Sequence, residues 1–221
     1  MGVITAIEIQ KRNKERVNVY LDDEYAFSLT AVDAALLRKG QQLSPAEIDR
    51  LRANDEVARA IDHAVRFLSY RPRSTQEVHD NLKKKDFADP AIDAAVEKMQ
   101  SMGYLDDGAF ARYWLENRST FNPRGTRALR YELRQKGVAD REIEAALAEF
   151  DDRAAAYDAA QKRVGKLRGL DRRTFTQKLG SYLQRRGFNY SDCRDVIEQL
   201  ENEMAEADPD FFSEDVDSHD F

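Results

Sequence analysis

With 221 residues, 42% of them hydrophobic, the chain is long enough to bury a sizeable core, and 34% charged residues with a mean hydropathy of −0.72 read as a water-soluble protein. Its apolar runs fall far short of the roughly 20 residues a membrane span needs, and Glu8, Lys11 and Arg12 interrupt any signal-peptide pattern, so a cytoplasmic protein is expected. The net charge of −6 is uneven: nine acidic residues and no Lys or Arg lie from Glu201 onward, leaving 35 basic against 32 acidic residues over 1–200, a mildly basic body with an acidic end.

From the start, Val3–Ile9, Arg16–Leu21 and Tyr25–Leu29 are β-branched, partly alternating runs, so residues 3–29 predict a small antiparallel β meander. The acidic Asp22-Asp23-Glu24 between two of them reads as a hairpin turn, since no further ligands are spaced to complete a metal shell. Thr30–Leu37 predicts a short helix stopped by Lys39-Gly40, and Ser44-Pro45-Ala46-Glu47 opens another with a capping box, in which hydroxyl and carboxylate each satisfy an orphan backbone donor. His63, on the helix that follows, is one of three scattered histidines and reads as a packing or surface residue rather than a metal ligand.

From about Glu56 the chain repeats itself. Setting Ser74–Phe87 above Gly125–Val138 and Phe175–Phe188 aligns Leu82, Leu133 and Leu183 at spacings of 51 and 50; Val96, Leu147 and Ile197 form a second column, Met99, Phe150 and Leu200 a third, and Cys193 falls with Ile92 and Ile143. Cys193 is therefore expected in the core rather than in a redox role. Such a period means one supersecondary unit used three times: a helix ending near Tyr70, a second over 74–85 and a third over 89–101, hence nine helices in all. Ser74 and Glu77 form another capping box, and Gly137 and Gly187 stand where a left-handed residue ends the second helix, with Asp86 in their place in the first repeat. Asp89-Pro90 and Asn122-Pro123 read as an N-cap followed by proline. Asp106 and Asp107 read as helix caps rather than paired catalytic carboxylates, because no third carboxylate or histidine is spaced to join them, and Trp114 reads as core.

The expected organisation is mainly α: residues 1–54 a β element with short helices, 55–105, 106–152 and 153–204 three tandem three-helix repeats in an elongated curved array, and 205–221 an acidic, disordered tail carrying Phe211, Phe212 and Phe221. Basic residues recur with the repeat on the middle helices and just before them: Arg71, Arg73, Lys83, Lys84 and Lys85; Arg124, Arg127, Arg130, Arg134 and Lys136; Arg172, Arg173, Lys178, Arg185 and Arg186. Arg127, Arg130 and Arg134, at i, i+3 and i+7, make a basic stripe opposite or beside the leucines. A recurring basic sector of this kind suits phosphates or an acidic partner. No metal, cofactor or catalytic residue is expected.

Leu68-Ser-Tyr-Arg-Pro-Arg-Ser74, Leu82 with Asp86-Phe87, Met102-Gly-Tyr-Leu-Asp-Asp-Gly-Ala-Phe-Ala111 and Leu133-Arg-Gln-Lys-Gly137-Val138 together resemble the signature of the RecX family of bacterial recombinase regulators. Ile4-Thr-Ala-Ile-Glu8 and Val17–Phe27 are similar to the β-containing extension of longer members, so the likeness spans about residues 3–200. Asp86 in place of glycine, a third repeat without Arg-Pro-Arg, and the acidic tail depart from the pattern. The resemblance implies a monomeric, non-enzymatic protein that binds RecA and its filament on single-stranded DNA. It would modulate, usually inhibit, filament extension, ATP hydrolysis and strand exchange, in recombination, DNA repair and the SOS response. The alternative reading is a helix-turn-helix module that binds single- or double-stranded DNA directly.

Overall fold

The computed structural model describes residues 1–213, in two compact units that meet in the chain at Asp106 and Asp107. In the first unit, β1 (Gly2–Ile9), β2 (Arg16–Leu21) and β3 (Glu24–Thr30) form the expected antiparallel meander, and β4 (Gln42–Leu43) pairs with the start of β1, giving the order β3-β2-β1-β4. The expected turn is there: Asp22 and Asp23 take left-handed φ values of 49° and 69°, the geometry of a two-residue hairpin whose twist matches its strands. The Asp22 carboxylate also accepts a hydrogen bond from the Val3 amide at 3.1 Å. Ile4, Val17, Val19, Phe27 and Leu29 are buried beneath the sheet.

After the short α1 (Ala31–Ala34) comes α2 (Pro45–Leu68), a continuous 24-residue helix. The sequence-based division at 54/55 therefore falls inside one helix. No glycine or proline interrupts residues 46–68, and the interior Asp55 is held by a 2.9 Å ion pair to Arg16. α2 runs beside edge strand β3, where Arg52 donates to the Ala26 carbonyl at 3.0 Å and so occupies a strand edge that would otherwise be open to pairing. With α3 (Thr75–Lys83) and α4 (Asp89–Ser101) it closes the first three-helix core around Ala60, Ala64, Val78, Leu82, Ile92 and Met99.

The second unit contains α5 (Asp107–Phe121), α6 (Thr126–Gln135), α7 (Asp140–Leu147), α8 (Asp152–Val164), one 3-10 turn (Gly165–Leu167), α9 (Arg172–Arg185) and α10 (Tyr190–Ala207). The columns read from the sequence are core columns: Leu82, Leu133 and Leu183 are fully buried, as are Ile92 and Ile143 with Cys193 in the equivalent place. Each middle helix ends in the same motif. Asp86, Gly137 and Gly187 are left-handed, and the amides of Phe87, Val138 and Phe188 reach back to the carbonyls of Leu82, Leu133 and Leu183 at 3.4, 3.1 and 3.4 Å. The hydrophobic residue after each left-handed position is buried beside its leucine, which fixes the angle at which the third helix leaves.

Four local expectations need correction. α4 is preceded by Ala88, so Asp89 is its first residue and not its cap. Asn122-Pro123 lies in the elbow between α5 and α6, and Gly125 takes the N-cap position. α9 starts a turn earlier than register predicts, because Asp171 caps it by accepting the Thr174 amide at 2.8 Å. The acidic segment is not free chain from residue 205. α10 runs to Ala207, Phe211 is buried, and Phe211 and Phe212 stand edge-on to Phe175, with ring centroids 6.0 and 5.2 Å away. Backbone bonds from Gly169 to Phe211 (2.8 Å) and from Ser213 to Leu170 (3.2 Å) tie that segment down, and Arg168 pairs with Asp208 at 2.7 Å. Two aromatic side chains that close the third core outweigh the acidic composition around them. Phe221 lies outside the described residues.

Candidate functional site

The basic residues of the repeats divide by what holds them. In the first repeat, Arg71 makes a bidentate pair with Glu77 (3.1 and 2.9 Å) and donates to the Pro72 carbonyl, while Glu77 is also the carboxylate of the Ser74 capping box. Arg73 stacks on Phe67, its guanidinium 4.0 Å from the ring centre. The Arg-Pro-Arg-Ser element is thus the joint between α2 and α3. Lys83 pairs with Asp89 at 3.4 Å, whereas Lys84 and Lys85 are exposed and make no side-chain hydrogen bond or ion pair among the described residues.

In the second repeat the stripe on α6 is answered by α7. Arg130 makes two bonds to Glu144 (2.6 and 2.9 Å), and Arg134 pairs with Asp140 at 2.7 Å. These bonds hold the Glu144 and Asp140 carboxyls below their ordinary pKa and raise both guanidinium groups, with the hydrogen bond the largest cause in each case. Arg127 donates to the Gln184 carbonyl at 3.1 Å. Glu132 accepts from Arg118 (2.7 Å) and from the Trp114 indole (2.9 Å), with Arg124 4.0 Å away, and Lys136 lies 5.2 Å from the Trp114 ring centre. Trp114 packs on the second core, as expected.

In the third repeat Arg186 donates to Asn122 Oδ1 (2.8 Å) and to the Pro123 carbonyl (2.9 Å), and Arg172 lies over the Phe212 ring at 4.7 Å. Arg173, Lys178 and Arg185 are exposed and make no side-chain hydrogen bond or ion pair among the described residues. Together with Lys84 and Lys85, these are the candidate cations that the fold leaves unengaged. Their recurrence has a local cause as well: Lys83, Arg134 and Arg185 stand in the last turns of their helices, where the macrodipole favours positive charge.

Nothing in the repeat pattern foretold how the second and third repeats join. The Gly125 amide donates to the Arg186 carbonyl at 3.0 Å, and a Cβ on Gly125 would stand 2.3 Å from the backbone of Gly187 and Phe188. Asp152 adds bonds from the Thr126 amide (2.8 Å) and hydroxyl (3.2 Å), while burial raises its carboxyl pKa. The one sequence signal for this joint is a glycine at a cap position where the first repeat has serine. Beside it, a groove of about 480 Å³ runs between α9 and α10, with Gly180 and Tyr190 in its walls and Cys193 in its lining. Burial, then Asp192 and Asp152, push the Cys193 thiol up to about 11, so it is a packed thiol and not a nucleophile.

Among the described residues no group of three or more His, Cys, Asp or Glu is placed to hold a metal ion, and no helix is long and apolar enough to cross a membrane.

Four family models match in chain order: the regulatory protein RecX N-terminal domain over residues 2–44, and the RecX first, second and third three-helix domains over 60–99, 106–147 and 151–197. The chain is 37% identical over 212 residues to the regulatory protein RecX of Bacillus subtilis, covering 93% of this chain and 80% of that one. It is 30% identical over 207 residues to that of Clostridium beijerinckii, covering 90% and 96%. A crystal structure of regulatory protein RecX superposes with a TM-score of 0.70 at 28% identity, covering 91% of this chain and all of the other. RecX from Lactobacillus salivarius, at 22% identity and a TM-score of 0.62 over 67% of this chain, shares the fold.

Proposed function

The chain belongs to the RecX family of regulatory proteins, and from that membership we propose that it regulates the RecA recombinase in the cytoplasm. The observation that supports this best is the full series of four family domains along one chain, matched by relatives named as regulatory proteins. It acts by binding, as a monomer, to RecA and to its filament on single-stranded DNA, with no reaction of its own.

The candidate contacts with the recombinase are the unengaged cations of each unit taken separately: Lys84 and Lys85 just past the end of α3, and Arg173, Lys178 and Arg185 on α9. Arg71, Arg130, Arg134 and Arg186 serve the fold and are poor candidates, because a partner's carboxylate or phosphate would first have to displace an internal one or a carbonyl. The free cations engage acidic residues of neighbouring RecA protomers, which opposes filament extension and the hydrolysis that depends on it. Because such pairs form at an exposed surface, they set association rate and salt sensitivity more than residence time.

The test is RecA's single-strand-dependent ATP hydrolysis, followed with and without this protein at substoichiometric ratios. Inhibition by one regulator per many RecA protomers is expected. Unchanged hydrolysis and strand exchange up to equimolar amounts would overturn the reading.

A further inference from the structure

The groove of about 480 Å³ between α9 and α10 opens where a side chain is missing. At the equivalent place in the second repeat, Arg130 bridges α6 to Glu144 of α7 with bonds of 2.6 and 2.9 Å. In the third repeat that position is Gly180, and Arg194 stands where α7 has Glu144, so α9 sends nothing across at that level. Ile197 and Cys193 are left lining the gap, with Ile197 Cδ1 3.5 Å from the point a Cβ on Gly180 would occupy. The exposed Tyr190 ring stands at the end of the groove where α9 passes into α10.

The charges around this groove are sorted. On α9, Arg173, Lys178 and Arg185 are exposed and make no side-chain hydrogen bond or ion pair among the described residues. Arg194 on α10 pairs with its own neighbour Asp195 at 3.2 Å. Glu198 and Glu201 line the α10 side, and Glu201 accepts a hydrogen bond from the Thr176 hydroxyl. The chain itself is fixed at the head of the groove. The Ser213 amide donates to the Leu170 carbonyl at 3.2 Å, and the Arg172 guanidinium lies 4.7 Å from the Phe212 ring centre. Arg172, Thr176, Gly180 and Gln184 follow at four-residue spacing, one row along α9, so Phe212 is held one turn before the groove begins.

We propose that residues 214–221 of this same chain occupy the groove and, in doing so, cover Arg173, Lys178 and Arg185. The segment Glu214-Asp-Val-Asp-Ser-His-Asp-Phe221 carries four acids, no Lys or Arg, and two apolar residues, Val216 and Phe221. Extended at about 3.3 Å per residue it spans about 26 Å, against about 18 Å along the helix from Arg172 to Gln184. Val216 then comes level with Gly180 and Phe221 reaches Tyr190, while the acids face the cations of α9. A short tether presents the segment at an effective concentration on the order of millimolar, which an untethered partner of the same charge has to exceed. The bearing on activity rests on the reading given under Proposed function: cations that meet the recombinase are masked while the segment is docked, so the protein carries its own competitor.

The experiment places a nitroxide on Ser218→Cys in the full chain and follows the backbone amides by NMR. Cys193 is buried and does not compete for the label. Selective broadening of the Gly180, Ser181 and Gln184 amides is expected, and not of Arg130 and Arg134 at the equivalent places in the second repeat. It should be lost in two variants: Val216→Ser with Phe221→Ser, and Gly180→Leu, which refills the gap with a good helix former. Salt of about 0.5 M should weaken it, since the ion pairs are exposed. Groove amides that stay sharp in the parent, or broadening unchanged in both variants, would overturn the proposal. So would broadening that passes only from a labelled chain to a separate, isotope-labelled one, which would make the occupant a second copy. Inhibition of RecA's ATP hydrolysis tests the consequence separately. Val216→Ser with Phe221→Ser should lower the concentration for half-inhibition about threefold or more, because apparent affinity scales with the undocked fraction. Docking seen by NMR, with inhibition no different in that variant, would support the seat of the segment and sink instead the reading that these cations meet the recombinase.

Discussion

The middle helices α6 and α9 occupy the same place in consecutive repeats, bury equivalent leucines and end in the same left-handed glycine, yet they present opposite surfaces. On α6, Arg130 and Arg134 are held by Glu144 and Asp140 of the next helix. On α9, Gly180 and Gln184 take the places of Arg130 and Arg134, the cations Arg173, Lys178 and Arg185 stand at other positions and are held by nothing among the described residues, and α10 places Tyr190 and Arg194, not acids, where α7 has Asp140 and Glu144. A charge pattern that recurs in sequence is therefore not a surface that recurs in space. What decides is the position each cation takes on its helix and the companion helix it faces.

The shared part of the comparison breaks most severely at the core. Leu133→Ala and Leu183→Ala should each cost about 2–5 kcal/mol, since both side chains are fully buried, and denaturant unfolding of the two variants should give similar losses. A loss confined to one repeat would show that the cores are not equivalent. Next comes the joint: Gly125→Ala puts a methyl group against the backbone of Gly187, and overpacking there should cost about 1–3 kcal/mol, with protection of the Gly125 amide against hydrogen exchange falling away as the repeats part. Smaller again is Asp86→Gly, which relieves a left-handed φ of 60° and should gain roughly 1 kcal/mol in thermal or denaturant unfolding, whereas Gly137→Asp should lose a similar amount.

The smallest effect sharpens the difference in charge. The pairs on α6 lower the pKa of Asp140 and Glu144, so their stabilisation is fully present above the unfolded values of 3.8 and 4.5 and is lost as pH falls through the depressed folded values. Arg130→Gln with Arg134→Gln should flatten that acid slope in urea midpoints measured between neutral pH and about pH 3. Arg173→Gln with Lys178→Gln should leave it unchanged.

Much of the fold was legible because its determinants are local or periodic. The leucine columns, the capping boxes at Ser44 and Ser74 and the left-handed positions at 86, 137 and 187 each obey a rule that acts within a few residues. What failed depended on partners distant in the chain. Nothing near residue 54 announces that Arg16 will hold Asp55 within a continuous helix. Composition around Phe211 says disorder, while Phe175, far earlier in the chain, supplies the surface that buries it. The candidate surface was legible only as a set of cations. Glu77, Glu132, Asp140 and Glu144 were in plain view, but which arginine each would take depended on helix packing.

The central claim, that free cations and not merely recurring ones meet the recombinase, is tested most directly by inhibition of RecA's single-strand-dependent ATP hydrolysis with two triple variants. Arg173→Glu with Lys178→Glu and Arg185→Glu should raise the concentration needed for half-inhibition by about tenfold or more. Arg127→Glu with Arg130→Glu and Arg134→Glu should lose stability yet, at a temperature where it remains folded, inhibit nearly as the parent does. Full inhibition by the first variant and none by the folded second would contradict the account.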